Sequence, residues 1–142
     1  MIFTDLFGRL TSLRKLRTRM INEMNADLRD ISSRDFMVLD KVCRSPGGLS
    51  MSDISESTGL SNALITGAVD NLEKIGLVRR TTGTDRRSYI IRSTKNGESR
   101  HKDAERKLET SIESFLGGME RQDMDDFLDL LEKLDNLLKK YT

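Results

Sequence analysis

The chain has 142 residues, of which 36% are apolar and 33% charged, and its formal net charge is +1. This length suits one domain with a core of its own. A single cysteine excludes an intrachain disulfide, and the sequence contains neither an apolar run long enough to span a membrane nor a pattern typical of a signal peptide. We therefore expect a cytoplasmic protein that does not contact the membrane.

The first predicted element is a long helix from Ile2 to about Leu28, because apolar residues recur at helical spacing while arginines and a lysine occupy the other face. A break follows at residues 30–33, where Ser32 or Ser33 is predicted to cap a second helix. That helix should turn Phe36, Leu39, Val42 and Cys43 inward. Its end is predicted near Arg44, before the turn Ser45-Pro46-Gly47-Gly48.

The stretch from Ser50 to Arg92 is the most informative part of the sequence. Ser50 and Asp53 have the spacing of a capping box, and Gly59 suits the left-handed geometry of a helix end. Ser61 is predicted to cap the next helix, which should run to Gly76. Two β-prone segments follow, Leu77-Val78 and Tyr89-Ile90-Ile91, separated by the polar run of residues 81–85. Leu49 is predicted to form a short strand beside this hairpin.

Helix, tight turn, helix and hairpin are the layout of a winged helix-turn-helix. This arrangement places one helix in the major groove of DNA and a loop against the backbone or the minor groove. The charge distribution agrees with it, because residues 74–102 contain nine basic and two acidic side chains. Residues 103–142 contain six basic and eleven acidic side chains, so that part should stay away from DNA. Double-stranded DNA is therefore the expected partner.

Two further helices are predicted after the hairpin. Thr94 should cap a long helix, which Gly117-Gly118 should loosen or end. The last helix is predicted to begin at Asp123. Together with the first helix, these segments carry more apolar surface than a small winged helix can cover. A homodimer with interleaved termini is favoured over an intramolecular bundle. Its interface is predicted to contain Phe3, Leu6, Leu10, Leu13, Phe127, Leu131, Leu134 and Leu138.

Several segments resemble one known family when they are taken together. They are the run Val69-Asp70-Asn71-Leu72-Glu73-Lys74-Ile75-Gly76-Leu77-Val78-Arg79-Arg80, the wing segment Asp85-Arg86-Arg87, the segments Ser33–Leu39 and Met51–Ser55, the turn Gly59-Leu60-Ser61 and the segment Arg92–Gly97. The chain resembles the multiple-antibiotic-resistance regulator (MarR) family of transcription factors over roughly residues 32–97. The resemblance implies an obligate homodimer and repression, or in some members activation, that a small molecule or an oxidant relieves.

The resemblance also implies roles for individual residues. The recognition helix would begin at Ser61, with Asn62, Ala63 and Thr66 facing the groove as well. Arg87 would enter the minor groove, Asp85 would orient it and Arg86 would meet a phosphate. Family members often carry basic residues where this chain has Gly67 and Asn71. Asn62 and Asn71 are instead able to read adenine, because an amide pairs with its exposed edge.

An effector site is implied between the winged lobe and the dimerisation helices. Here it would involve Arg14, Arg17, Met20 and Phe36, and an arginine in such a site suits an aromatic carboxylate. The alternative is that these arginines are solvated or contact DNA phosphates. The sequence alone does not decide between the two.

Other chemistry finds less support in the sequence. Cys43 is either a redox sensor or a core residue, and its place on an apolar helix face favours the core. One histidine is too few for the usual metal sites or catalytic triads, so we expect no metal site, no cofactor and no enzyme activity.

The sequence thus predicts a mainly α fold with a small β-hairpin wing, in which dimerisation helices flank a winged helix-turn-helix. Residues 1–30, 31–93 and 94–142 are the N-terminal helix, the DNA-binding part and the C-terminal helices of one structural domain. The predicted function is a homodimeric regulator, a repressor, that binds a pseudo-palindromic operator. The alternatives are a winged-helix module that binds protein instead of DNA, and a small-molecule-binding or enzymatic protein on the same scaffold.

Overall fold

The computed structural model describes residues 2–24, 30–84 and 88–142. Six helices and three short strands make up these described residues, and they confirm the predicted class, a mainly helical chain with a small antiparallel sheet. The elements in chain order are α1 (Ile2–Met24), α2 (Ser33–Cys43), β1 (Leu49–Ser50), α3 (Met51–Thr58), α4 (Asn62–Lys74), β2 (Val78–Thr82), β3 (Tyr89–Ser93), α5 (Lys95–Gly117) and α6 (Arg121–Tyr141). The predicted continuation of α1 to Leu28 lies outside the described residues.

Local capping chemistry sets the starts of the three helices that build the winged lobe. Ser32 accepts from the Asp35 amide at the start of α2, and Ser50 and Asp53 form both hydrogen bonds of the predicted capping box at α3. Ser61 accepts from the Leu64 amide and starts α4. Gly59, with a φ of 72°, ends α3 in the left-handed conformation, which a glycine adopts without a Cβ penalty. These predictions are confirmed.

The sheet has the strand order β1-β3-β2, and both strand pairs are antiparallel. Leu49 pairs with Ile91, which confirms the predicted short strand. The polar run predicted between the two strands, residues 81–85, starts too early, because β2 continues through Thr81 and Thr82. These β-branched residues pair with Ile90 and Tyr89, so cross-strand pairing extends the strand beyond its apolar start.

The core lies between α2, α3, α4 and the sheet. Leu39, Ile54, Ile65, Leu72 and Ile91 are fully buried there. Ile21 of α1 packs against this cluster from the side. The core therefore holds α4 by one face and leaves the opposite face exposed.

The wing and α5 meet at a tightly packed junction. The Thr94 hydroxyl donates to the Gly76 carbonyl over 2.6 Å and accepts from the Gly97 amide over 3.0 Å, which confirms Thr94 as a helix cap. The Thr94 amide also donates to the Leu77 carbonyl. A Cβ at Gly97 would lie 2.0 Å from that carbonyl oxygen, so only glycine fits here.

The chain divides into two compact units, residues 1–108 and 109–142. In the second unit, α5 ends at Gly117 as predicted. The last helix begins at Arg121 and not at the predicted Asp123, because Glu120 already has the extended conformation of a helix cap. Asp123 lies instead in the first turn, where the helix dipole favours an acidic side chain. No helix in the described part of the chain has the length and apolar character needed to cross a bilayer.

Candidate nucleic-acid interface

The exposed face of α4 is mostly polar, although Leu64 is also exposed on this helix, and it carries the residues predicted to face DNA. Its inner face buries Ile65, Ala68, Val69 and Leu72, so the core sets the rotation of the helix. The predicted residues Ser61, Asn62, Ala63, Thr66 and Asn71 are all exposed. Small and amide-bearing side chains in this position can approach base edges closely and can donate or accept hydrogen bonds.

Internal hydrogen bonds limit what some of these side chains offer. The Thr66 hydroxyl donates to the Asn62 carbonyl over 2.9 Å, so its oxygen remains available as an acceptor. Ser61 accepts from the Leu64 amide and retains its own proton for donation. Asn71 lies nine residues beyond Asn62, about 13 Å further along the helix axis. The structure therefore separates the two candidate adenine readers by several base-pair steps.

The wing follows α4 directly in the chain, and both pack against the same core. Arg79 is exposed on β2, and Arg92 is half-buried on β3, where its Nε donates to the Thr81 hydroxyl over 3.4 Å. The predicted wing-tip residues Asp85, Arg86 and Arg87 lie outside the described residues. Their roles at the DNA backbone and the minor groove stay predictions.

An ion-pair cluster joins α4 to the wing. The Arg80 guanidinium donates to Glu73 over 2.8 Å and also to Asp70, and the Arg80 amide donates to the same Glu73 carboxylate over 3.0 Å. These carboxylates raise the pKa of Arg80, chiefly through its hydrogen bond to Asp70. The cluster fixes the wing relative to the recognition helix. The Arg80 cation also offsets the negative charge of Asp70 and Glu73 beside the DNA-facing surface.

Sequence reasoning assigned no role to the three residues of this cluster. All three belong to the run that resembles the family, and Arg80 also contributes to the basic charge of residues 74–102. Their seven-residue separation crosses a helix-to-strand turn, so helical spacing could not reveal the pair. The only signal was the presence of two acidic side chains on a helix predicted to approach DNA.

A cavity of about 500 Å³ lies between the start of α2 and α4. Asp35 in its lining is buried, while Asp30 is held by Arg100 over 2.7 Å, a hydrogen bond that lowers the pKa of Asp30. The lining consists of Asp30, Ile31, Ser32, Arg34, Asp35, Ala63, Leu64, Gly67, Ala68 and Asn71. Part of this wall thus belongs to the recognition helix, and sequence reasoning did not find it.

The predicted effector residues lie elsewhere. Arg14 and Arg17 are exposed on α1, and Met20 is half-buried on the same helix. Phe36 is buried and stacks on the ring of His101, with the ring centroids 6.0 Å apart. Because this stacking already covers one face of Phe36, only a rearrangement would open that ring fully to a ligand. These four residues do not belong to the described lining of the cavity.

The thiol of Cys43 is poorly suited to redox sensing. It is partly buried against the core, and burial, with a smaller effect of the Glu98 charge, raises its pKa to about 11. Thiols react as thiolates, so this environment slows oxidation and alkylation. The geometry therefore favours the core role for Cys43.

The predicted interface residues form exposed apolar stripes on both terminal helices. On α1, Phe3 is 84% exposed, and Leu6, Leu10 and Leu13 are exposed as well. On α6, Leu131 and Leu138 are exposed while Phe127 and Leu134 are half-buried, with Phe127 edge-on to Phe115 in the second unit. These helices carry further exposed apolar residues, namely Phe7, Leu128, Leu130, Leu137 and Tyr141.

Comparisons with known proteins point to one family. A model of the MarR family matches residues 29–88. The HTH-type transcriptional regulator YfiV of Bacillus subtilis (strain 168) is 33% identical over an alignment of 117 positions, and the match covers 78% of this chain and 72% of that protein.

Two crystal structures illustrate the similarity of fold. FabT of Streptococcus pneumoniae, in complex with DNA, is 23% identical with a TM-score of 0.78, and the match covers 99% of both chains. CouR of Rhodococcus jostii RHA1, bound to p-coumaroyl-CoA, is 22% identical with a TM-score of 0.74, over 94% of both chains.

Proposed function

Because the chain belongs to the MarR family of DNA-binding transcription regulators, we propose that it acts as a homodimeric repressor on a pseudo-palindromic operator. The observation that carries this proposal is the exposed polar face of α4, which the core and the Arg80 cluster fix beside a basic wing. That arrangement suits a helix in the major groove and cations at the flanking backbone. The FabT complex with DNA supports the same use of the fold. Action on chromosomal DNA implies a cytoplasmic location.

Exposed apolar surface supports the dimer. Phe3, Leu6 and Leu10 would remain in water in a monomer, as would Leu131 and Leu138. Monomers rarely expose contiguous apolar patches of this kind, and a two-fold axis would cover the same patch on both copies. The two recognition helices of such a dimer would read half-sites about one helical turn apart.

The proposed mechanism is steric occupation of the operator. Both recognition helices must enter successive major grooves on one face of the duplex, so a change in their spacing would release the dimer. An effector held near Arg14, Arg17, Met20 and Phe36 could make that change, and an arginine there would suit a carboxylate. The ligand-bound structure of CouR supports a small-molecule effector for this chain.

Arginine substitutions at the wing test the proposal. In the double variant Arg86→Ala/Arg87→Ala we expect affinity for the operator to fall at least tenfold, because a minor-groove contact and a phosphate contact are lost. The matched control is Arg121→Ala/Lys140→Ala, which removes the same charge from exposed positions of α6 and should leave affinity unchanged.

The readout is fluorescence anisotropy with the labelled upstream intergenic duplex, measured over a range of salt concentrations. A smaller salt dependence is expected for the wing variant alone, since fewer phosphates are neutralised. Equal loss in both double variants would mean that only net charge matters. An absence of DNA binding by the unsubstituted protein would favour the protein-binding winged module.

A further inference from the structure

We propose that Asp40, His101 and Glu105 form a binding site for a divalent transition-metal ion, with Zn²⁺ as the best match. The three side chains each offer a ligand atom, and these atoms all lie within 4.8 Å of one another. The Nε2 atom of His101 is 2.7 Å from Asp40 Oδ1 and 3.8 Å from Glu105 Oε1. Asp40 belongs to α2 and the other two residues to α5, so a bound ion would join these helices.

The donor set suits zinc chemistry. Zinc binds imidazole nitrogen and carboxylate oxygen at about 2.0–2.2 Å, and three protein ligands with one open position are common. Tetrahedral ligands at such lengths stand about 3.4 Å apart, so the Asp40–His101 contact would open by about 0.7 Å and the His101–Glu105 contact would close slightly. His101 and Glu105 are four residues apart on one helix, which puts them on the same face.

The imidazole is held in position before any metal arrives. His101 is only 7% exposed, and its ring stacks on Phe36. A buried ring of fixed orientation loses little freedom when it binds an ion. The side chains of Asp40 and Glu105 are 24% and 41% exposed, so an ion can reach these two ligands from solvent.

Arg44 supplies the positive charge of the metal-free cluster. Its Nε donates to Asp40 Oδ1 over 2.8 Å and a terminal nitrogen donates to Glu105 Oε1 over 3.2 Å. These two carboxylates raise the pKa of Arg44, with the hydrogen bond to Asp40 as the main cause. The Arg44 side chain is 60% exposed, so it can turn into solvent when a metal takes its place. Arginine and metal are therefore competitors for the same two oxygens.

Sequence reasoning set a metal site aside because the chain has one histidine and no close ligand spacing. Asp40 is 61 residues from His101 in the chain, and only the packing of α2 on α5 brings them together. Because α2 also packs against α4, a metal bound between α2 and α5 would stabilise the position of α2, which supports the recognition helix. Metal binding at this site does not depend on the proposed binding to an operator.

The test is a Zn²⁺ titration of the untagged, metal-stripped protein against a chromophoric chelator, without DNA. We expect one ion per chain. The variants His101→Gln and Glu105→Gln should each weaken binding about tenfold or more, since each loses a ligand. Arg44→Gln should tighten binding severalfold, because it removes the competing cation. The control Glu109→Gln, an exposed carboxylate one turn further along α5, should bind like the unsubstituted protein.

Cobalt gives an independent readout, because Co²⁺ absorbs in the visible range with an intensity that depends on its coordination. Unchanged zinc affinity in both His101→Gln and Glu105→Gln would overturn the proposal, and so would an Arg44→Gln variant that binds no tighter. Either result would leave the cluster as an ion-pair network that holds α2 to α5. Should His101→Gln lose its helical circular dichroism, Glu105→Gln and Arg44→Gln decide the question, because both positions are partly exposed.

Discussion

The junction between the wing and α5 makes a sharp prediction about one glycine. Alanine at position 97 would place its Cβ 2.0 Å from the Leu77 carbonyl oxygen and 3.0 Å from the carbonyl carbon. An ordinary contact between such atoms needs more than 1 Å of additional space. The obstacle is backbone, so the first turn of α5 must move. That movement would weaken the hydrogen bonds from Thr94 to Gly76 and Leu77.

The size of the effect follows from these contacts. Overpacking of a filled site costs about 1–3 kcal/mol. Two weakened hydrogen bonds add about 1 kcal/mol each. After subtraction of the about 1 kcal/mol by which a helix favours alanine over glycine, we expect Gly97→Ala to lower the free energy of unfolding by about 2–4 kcal/mol, which lowers the melting temperature by roughly 4–16 °C.

Gly67→Ala is the matched control, because it adds the same methyl group to another helix. No heavy atom lies within 4 Å of the Cβ that alanine would add there. Alanine is favoured over glycine by about 1 kcal/mol inside a helix, so this variant should melt higher than the unsubstituted protein.

The assay is thermal unfolding followed by circular dichroism, at one protein concentration because a dimer's stability depends on it. Opposite shifts are expected for the two glycine variants. A Gly97→Ala variant as stable as the unsubstituted protein would refute the steric account of the junction. Equal shifts of the melting temperature in both variants would show that helix propensity alone determines the effect of alanine at these positions.

Three further predictions concern the ion-pair cluster, the thiol and the dimer. Arg80→Ala removes the cation that pairs with Asp70 and Glu73 on the recognition helix, so we expect about tenfold weaker operator binding at low salt, with partial retention in Arg80→Lys. Cys43 should react with iodoacetamide about a hundredfold more slowly at pH 7 than an ordinary thiol, because a pKa of about 11 is two units above the usual 9.0, and the rate should rise with pH as thiolate forms. Leu10→Asp should shift the protein to monomer in sedimentation velocity, since a charge would be buried at the interface, while Leu10→Met should remain a dimer.

Features that depend on neighbouring residues in the chain were predictable from the sequence. The capping box at Ser50, the left-handed Gly59 and the cap at Ser61 each follow from side-chain chemistry within four residues. The residues expected to face DNA on α4 came from the family resemblance, and they are exposed because burial of Ile65 and Leu72 turns the other face of the helix outward.

Features that depend on contacts between distant segments were not predictable. The Arg80 cluster joins a strand to a helix, and the His101 cluster joins α2 to α5 over 61 residues. Periodicity carries no information about such pairs. Smaller errors had local causes: strand pairing carried β2 through Thr82, and the extended backbone of Glu120 started α6 two residues before Asp123.

The central claim is that this protein recognises a specific operator. The most direct measurement is titration of the labelled upstream intergenic duplex and of a scrambled duplex with the purified protein at about 150 mM salt. We predict at least about 10³-fold tighter binding to the upstream duplex, with one dimer per site. Equal and weak binding to both duplexes would contradict the claim.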